Sequence, residues 1–350
     1  MEEQEQLIFK DGPLRITVNY QLSGQGLTLL KQTVYGTTGI RYQHTNQETK
    51  AKDLVNPLFF QLWRSDQVIG LYCLDRFMVS LNPYQLPAHY GRYLTVSEAE
   101  GHKGYGSLLK RIAINYAEQI TPSHFLFYSF IEAKNQRSLQ ISLKEEFLSV
   151  TRLNTYFFRR LWPMADKRVG RVSLDEMDQV RALLEERYQH YALYTSHGIG
   201  YQGNYFALKE SGRIVAGIQA NPVCWRIKQL PYKGSDLLIR VLPHLPLVRR
   251  LFNPDAFAFA AIEGLYLAKG REELLPVLLE SVLAQTGLYS AMWQIDERDS
   301  TMALIEANSM GAMSGFESDV KTHVLIKPLG LAEGWVNSTA PVYASSFDYS

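Results

Sequence analysis

Cysteine is almost absent from this chain: 350 residues carry 2, Cys73 and Cys224. That number excludes a disulfide-stapled scaffold and a Cys-rich zinc site. Both thiols fall in strand-like stretches, where a buried free cysteine is the expected state. Net charge is missing too, since 36 Lys and Arg against 35 Asp and Glu leave +1. Such a balance provides no general attraction to nucleic acid or to an anionic membrane. No apolar run approaches the roughly 20 residues of a membrane span. The amino terminus, MEEQEQ, lacks the basic and apolar regions of a secretory signal. The expectation is a cytoplasmic protein with no metal, no nucleic acid and no membrane among its partners. What is present, 46% hydrophobic and 20% charged residues, is a globular composition. A chain of this length accommodates two domains of ordinary size.

The most informative stretch runs from Tyr93 to Gln119, YLTVSEAEGHKGYGSLLKRIAINYAEQ. Tyr93-Leu94-Thr95-Val96 is β-branched and aromatic and reads as a strand. From Tyr105 the apolar residues fall at Leu108, Leu109, Ile112, Ala113 and Tyr116, the spacing of an amphipathic helix. Between them lies a short loop ending in Gly104-Tyr105-Gly106. The first N–H groups of a helix have no internal acceptor, and the helix dipole makes that end positive. Glycines keep side-chain bulk off those groups, and Lys103 adds a full charge. The stretch therefore reads as a phosphate cradle. Its spacing fits neither nucleotide motif. Leu109 occupies the third glycine position of a dinucleotide fingerprint. Ser107-Leu108 follows Gly106, where a Walker loop has Lys and Ser/Thr.

A strand ending in valine, a loop closing on x-x-G-x-G and a following helix resemble motif A of the GNAT superfamily of N-acetyltransferases. Lys103-Gly104-Tyr105-Gly106 resembles the K-G-Y-G form of its histone-acetyltransferase branch. One departure is Gly101, where the family usually has Gln or Arg. A second motif, N-x-x-A-x-x-L-Y-x-K-x-G-F, aligns with Asn135, Ser138, Ile141, Ser142, Lys144, Glu146 and Phe147. Asn135, Lys144 and Phe147 match it; Glu146 replaces the glycine and Ser142 the tyrosine that often protonates the departing thiolate. The resemblance implies acetyl-CoA as co-substrate, held by Leu94, Val96, His102, Lys103, Gly104, Tyr105, Gly106, Ser107, Asn135 and Ser138. It implies direct transfer of the acetyl group to an amine, without a covalent enzyme intermediate. A non-catalytic acyl-CoA-binding regulator or scaffold is the alternative, favoured by the missing tyrosine.

The rest of the chain is ordered around this unit. Leu14–Tyr20 reads as a strand, Leu27–Val34 as a short helix and 42–52 as a polar loop. Leu58–Trp63 and Val68–Leu74 form a hairpin, 76–87 a loop and His124–Ile131 a strand. A helix follows over Asn135–Phe147, and Leu148–Leu153 and Thr155–Phe158 read as a pair of strands. A break at 161–168 marks the domain boundary. Ser173-Leu174-Asp175-Glu176 is a capping box opening a helix. The hairpin YFALKESGRIVAGIQA then resembles FFQLWRSDQVIGLYCL, an internal repeat at roughly 146-residue spacing. It predicts a second cradle between a strand at Ala260–Leu267 and a helix at Leu274–Leu283. There a single glycine, Gly270, is followed by Glu272 and Glu273, which repel a diphosphate and favour the helix itself. Strands at Tyr289–Ile295 and His323–Ile326 and a helix at Ser300–Ala307 complete the half. The expected fold class is α/β, a mixed central sheet of the GNAT type in two tandem copies, the second degenerate. The expected domains are 1–162 and 163–335, with 336–350 a mobile tail. The insertion 228–255 reads as a lid or interface segment. The second half shapes the acceptor site or a homodimer contact.

Acyl transfer to an amine needs a base for the ammonium, an N–H donor for the oxyanion and a donor for the thiolate. The family supplies the oxyanion donor from backbone, here near Val96. No acid lies between Arg76 and Ser97, so the base expected on that strand is missing. Glu132, just past the strand ending at Phe130, is the leading carboxylate, and Tyr128 is a candidate acid. His89 and His124 are secondary candidates. Glu98 and Glu100 lie in the cradle loop and are expected to face water.

Overall fold

A computed structural model describes residues 5–36, 40–81, 84–121, 124–230, 237, 239, 241–307, 321–331 and 340–346. The chain forms two compact units, one of 1–79, 85–150 and 323–335, the other of 80–84, 151–322 and 336–350.

The first unit is built on a mixed sheet. Its strands are β1 (Gln6–Asp11), β2 (Leu14–Asn19), β4 (Pro57–Arg64), β5 (Gln67–Leu81), β6 (Tyr84–Val96), β7 (Phe125–Glu132) and β14 (Lys321–Leu329), in that spatial order. A short strand β3 (Arg41–His44) lies between helices α1 (Gly24–Gln32) and α2 (Gln47–Asp53). β2 with β4 and β4 with β5 are antiparallel; β6 and β7 are parallel. Two helices follow the cradle strands, α3 (Tyr105–Ile120) and α4 (Gln136–Lys144). α3 is amphipathic as its spacing predicts. Leu109, Ala113, Ile114 and Ala117 are buried with Phe60, Leu62, Phe125, Phe127 and Leu325 in one core. Truncating Leu109 to Ala would remove roughly 2–5 kcal/mol by opening a cavity there.

The second unit repeats the plan. Its sheet runs β8 (Leu148–Arg159), β13 (Ser290–Asp296), β12 (Phe257–Leu267), β11 (Arg213–Gln229), β10 (Tyr205–Glu210), β9 (Val169–Arg171). The hairpin β10–β11 corresponds to β4–β5, and β12–β13 is parallel, as β6–β7 is. Helices are α5 (Met177–Tyr188), α6 (Pro246–Leu251), α7 (Leu274–Thr286) and α8 (Thr301–Ala307). Leu275, Leu278, Leu279 and Val282 of α7 pack on Phe206, Ile218, Ile262 and Trp293. The capping box is present, with both Ser173 and Glu176 engaged.

Four readings need correction. Residues 42–52 are not a loop but β3 and α2, whose Gln47, Lys50 and Ala51 are buried. The stretch 76–87 is largely strand, since β5 continues to Leu81 and β6 begins at Tyr84. Residues 148–158 form one strand, antiparallel to β13. The expected mobile tail is buried over 342–346, with Ser346 fully so, because its polar groups meet buried carboxylates. The sheet of the first unit ends on β14, a strand from late in the sequence, and that of the second on β8. Of the insertion 228–255, residues 231–236, 238 and 240 lie outside the description; near its end Arg250 lies over Tyr289, 5.5 Å from the ring centre.

Candidate functional site

The site starts where two parallel strands part. β6 and β7 keep register at Ala88–Leu126, His89–Phe127 and Tyr90–Tyr128, with no later pair. Just beyond, Tyr93 takes a left-handed conformation, φ 59°, which a side chain with a Cβ resists and which turns β6 aside. The strand end is tied to β5 by Ser97 N–H donating to Ile69 O at 2.9 Å. A single 3-10 turn, Glu98–Glu100, leads through His102 (φ 63°) to Gly104 (φ 80°), the residue that caps α3. Gly104 has no side chain to accept from the first turn, and nothing lies within 4 Å of where its Cβ would be. No side chain of the capping residue thus covers the first turn, at the positive end of a 16-residue helix. A Cβ on Gly106 would lie 3.4 Å from Ile141 Cδ1, so α4 packs directly behind the turn.

The charges around this turn are organised by a residue that the sequence leaves unmarked. Arg64, at the end of β4, donates to Glu100 Oε1 at 2.5 Å and to the Tyr105 hydroxyl. Lys103 donates to the other oxygen, Glu100 Oε2, at 2.9 Å. Glu100 is thus clamped rather than facing water, and the hydrogen bond from Lys103 leads the effects that hold its carboxyl below the usual range. Two cations thus stand beside the turn with one carboxylate between them. Arg64 could have been suspected only from its place at the turn of the β4–β5 hairpin.

Asn135 and Ser138 serve one another: Asn135 Oδ1 accepts from Ser138 N at 3.1 Å and caps α4. Ser142, in the tyrosine's place, is buried and receives a hydrogen bond from Lys110 Nζ at 2.5 Å. Lys110 comes from the buried face of α3, is 2% exposed, and lies 4.0 Å from the Phe147 ring centre. Burial lowers its pKa to about 7. The lysine fills space that a larger residue at 142 would take. Its signal in sequence is its place with Gly106, Ala113 and Ala117 on one face of the helix. Glu146, where the motif has glycine, keeps the left-handed conformation, φ 64°, so the turn is retained with a strained residue.

Glu132 and Tyr128 lie on one face of β7 but about 13 Å apart along the strand, at roughly 3.3 Å per residue. Phe130 stands between them, and they do not form a pair. Tyr128 is buried, with ring centres of Tyr90 and Phe130 at 4.8 and 5.6 Å. Glu132 is half-buried at the strand's end, and burial pushes its carboxyl above the ordinary range. It faces an aromatic group: its charge adds to the burial that raises the Tyr42 phenol. The Tyr42 ring centre is 5.9 Å from that of Tyr35 and 5.5 Å from that of His44. His44 is lowered to about 3, first by burial and then by Lys50 and Arg92. Asp75, immediately before the acid-free stretch from Arg76 to Ser97, is buried and paired with Arg92 at 3.8 Å. His89 is core, its Nε2 2.8 Å from Thr121 Oγ1, and burial lowers it to about 4. Leu94 and Val96 line the first core from the strand end. His102, Lys103 and Gly104 are exposed, and Ser107 is half-buried.

The second unit's counterpart is closed. Gly270 has φ 74°, but its N–H donates to Glu272 Oε1 at 3.3 Å. Arg271 is held by Glu210 at 2.7 Å and Glu273 at 2.9 Å. The turn's own acids thus take up the Gly270 N–H and the Arg271 charge.

No protein-family model matches this chain, and no curated protein sequence matches it. Solved structures do match in fold. Saccharomyces cerevisiae N-myristoyltransferase with bound myristoyl-CoA superposes with TM-score 0.63 at 9% identity, over 93% of this chain and 85% of that one. A tandem GNAT protein from the clavulanic acid biosynthesis pathway gives 0.54 at 11% identity, over 91% and 100%. A probable N-acyltransferase from Enterococcus faecalis gives 0.51 at 12%, over 91% and 73%. The fold is therefore the GNAT fold that these structures share, present as two tandem copies. Among the described residues no group of His, Cys, Asp and Glu is placed to hold a metal ion, and no helix is long and apolar enough to cross a membrane.

Proposed function

We propose that the first unit binds an acyl-coenzyme A and passes its acyl group to an amine, with acetyl as the group transferred. The observation that carries this is the open first turn of α3. It is capped by Gly104 in a left-handed conformation with no Cβ contact within 4 Å and flanked by Arg64 and Lys103. A coenzyme diphosphate would accept from the first-turn N–H groups and draw the two cations from Glu100. The thioester would then lie where β6 and β7 part. Glu132 is the base: its raised pKa brings it nearer the working pH, where a carboxylate accepts a proton effectively. Backbone N–H near Val96 stabilises the oxyanion. The fold neighbours support the reaction class, since one is an N-myristoyltransferase, one a probable N-acyltransferase and one a tandem GNAT protein.

Native mass spectrometry with acetyl-CoA and longer acyl-CoAs tests the reading. One coenzyme per chain, with acetyl-CoA competing effectively against longer chains, is expected. Preference for a long chain would replace the acetyl assignment, and no binding of any acyl-CoA would end the proposal.

A further inference from the structure

The second unit has its own gap between parting strands. β12 and β13 are registered at Ala260–Ala291, Ala261–Met292 and Ile262–Trp293, with no later pair. The next residue of β12, Glu263, is 1% exposed, and Asp296 closes β13 at 0%. Residues 340–346 lie between these two carboxylates.

We propose that this gap is a peptide-binding groove, occupied in cis by the chain's own residues 340–346. The contacts are those by which a groove reads an extended peptide: backbone pairing for affinity and side-chain pockets for selectivity. Ala192 N donates to Pro341 O and Tyr343 N to Ala192 O, both at 2.9 Å, which makes the parallel bridge Ala192–Val342. Val342 N donates to Asp296 Oδ2 at 2.9 Å. Tyr343 is the anchor. Its ring meets Tyr188 edge-on at 4.9 Å and Tyr194 at 5.1 Å, and its hydroxyl donates to Glu263 Oε2 at 3.0 Å. Three residues on, Ser346 Oγ donates to Glu263 Oε1 at 2.7 Å and accepts from Asn221 Nδ2 at 2.9 Å.

The groove supplies the charge and the segment supplies the donors. Glu263 and Asn221 are buried polar groups that need partners, and much of what they have comes from 340–346. Beyond the isolated bridge at Val342 the segment belongs to no strand or helix of this unit before Ser346. Its hold is therefore a set of discrete, peptide-like contacts. The ligand class that fits is an extended segment with a buried tyrosine and a serine three residues later.

The test keeps the full chain. A site-specific protease sequence is placed within residues 332–339 and cut after folding, which removes the covalent link between the groove and residues 340–346. A labelled synthetic peptide of 340–350 is then added. Exchange under native conditions is expected, with circular dichroism unchanged, and a Tyr343→Ala peptide should compete at least tenfold more weakly. A segment that comes off only on global unfolding would show a fixed core strand and overturn the proposal. Release that unfolds the second unit, or equal competition by both peptides, would overturn it as well.

Discussion

Two glycines separate coenzyme binding from backbone strain. Gly104 and Gly270 have φ of 80° and 74°, and neither has an atom within 4 Å of where a Cβ would go. Gly104→Val and Gly270→Val therefore meet the same obstacle in the free protein: a β-branched residue forced left-handed, at about 1–2 kcal/mol. Thermal denaturation should report similar losses for the two. Their effects on ligand should not match. At Gly104 the new side chain stands at the first turn of α3, which the cap residue itself leaves uncovered. Charge-assisted contacts there contribute about 1.5–3 kcal/mol each. At 1.4 kcal/mol per tenfold, losing one or two weakens acetyl-CoA binding by about tenfold to a hundredfold or more. At Gly270 the N–H already serves Glu272, so affinity should stay at the wild-type value. Titration calorimetry with acetyl-CoA reads affinity and stoichiometry together. Wild-type affinity in Gly104→Val, equal weakening in both variants, or two equivalent sites per chain would refute the reasoning.

Glu132→Gln should lower turnover on the order of 10²-fold at neutral pH with little change in coenzyme affinity; in the wild type, activity should fall with acidification at a pH above the ordinary carboxylate range, the direction in which burial shifts Glu132. Unchanged turnover in the variant at every pH would remove Glu132 from the mechanism. Glu100→Gln releases Arg64 and Lys103 and should tighten acetyl-CoA binding severalfold at low salt, less at high salt; weaker binding by calorimetry would mean that Glu100 builds the cradle instead of competing for it. Lys110 has a folded pKa lowered to about 7, against about 10.4 unfolded. Between those values the unfolded chain binds more protons, so stability due to this group rises with pH from about 7 to about 10.4 and is flat below. Lys110→Met should be the more stable below pH 7 and lose that advantage as pH rises; parallel denaturation profiles would contradict the buried charge.

The fold was legible where short-range pattern and glycine placement agree. The cradle strand, its glycine turn and α3 were readable because the helical spacing from Tyr105 sets in immediately after Gly104. The repeat was readable because β10–β11 keeps the turn chemistry of β4–β5. Long-range relations were not. Strand β14 reads as an ordinary strand, and nothing in its composition says that it pairs beside β7. Residues 340–346 look like a polar tail because Ser345 and Ser346 reveal nothing of the buried Glu263 they meet. Likewise Arg64 and Glu100 are 36 residues apart, and a surface charge in sequence cannot be told from one that organises a site. Lys110 differs: its face, shared with Gly106, Ala113 and Ala117, points inward, while its charge argues for exposure, and the small Ser142 on α4 that accepts from it lies 32 residues away.

Transfer itself is tested most directly by following free thiol released from acetyl-CoA with a panel of amines, among them small amines, amino acids, aminoglycosides and lysine peptides. At least one class should stimulate thiol release well above the amine-free rate, and Gly104→Val should abolish that stimulation. Stoichiometric acetyl-CoA binding with no amine-stimulated release from any class would contradict an acyltransferase and identify the chain as a coenzyme-binding regulator.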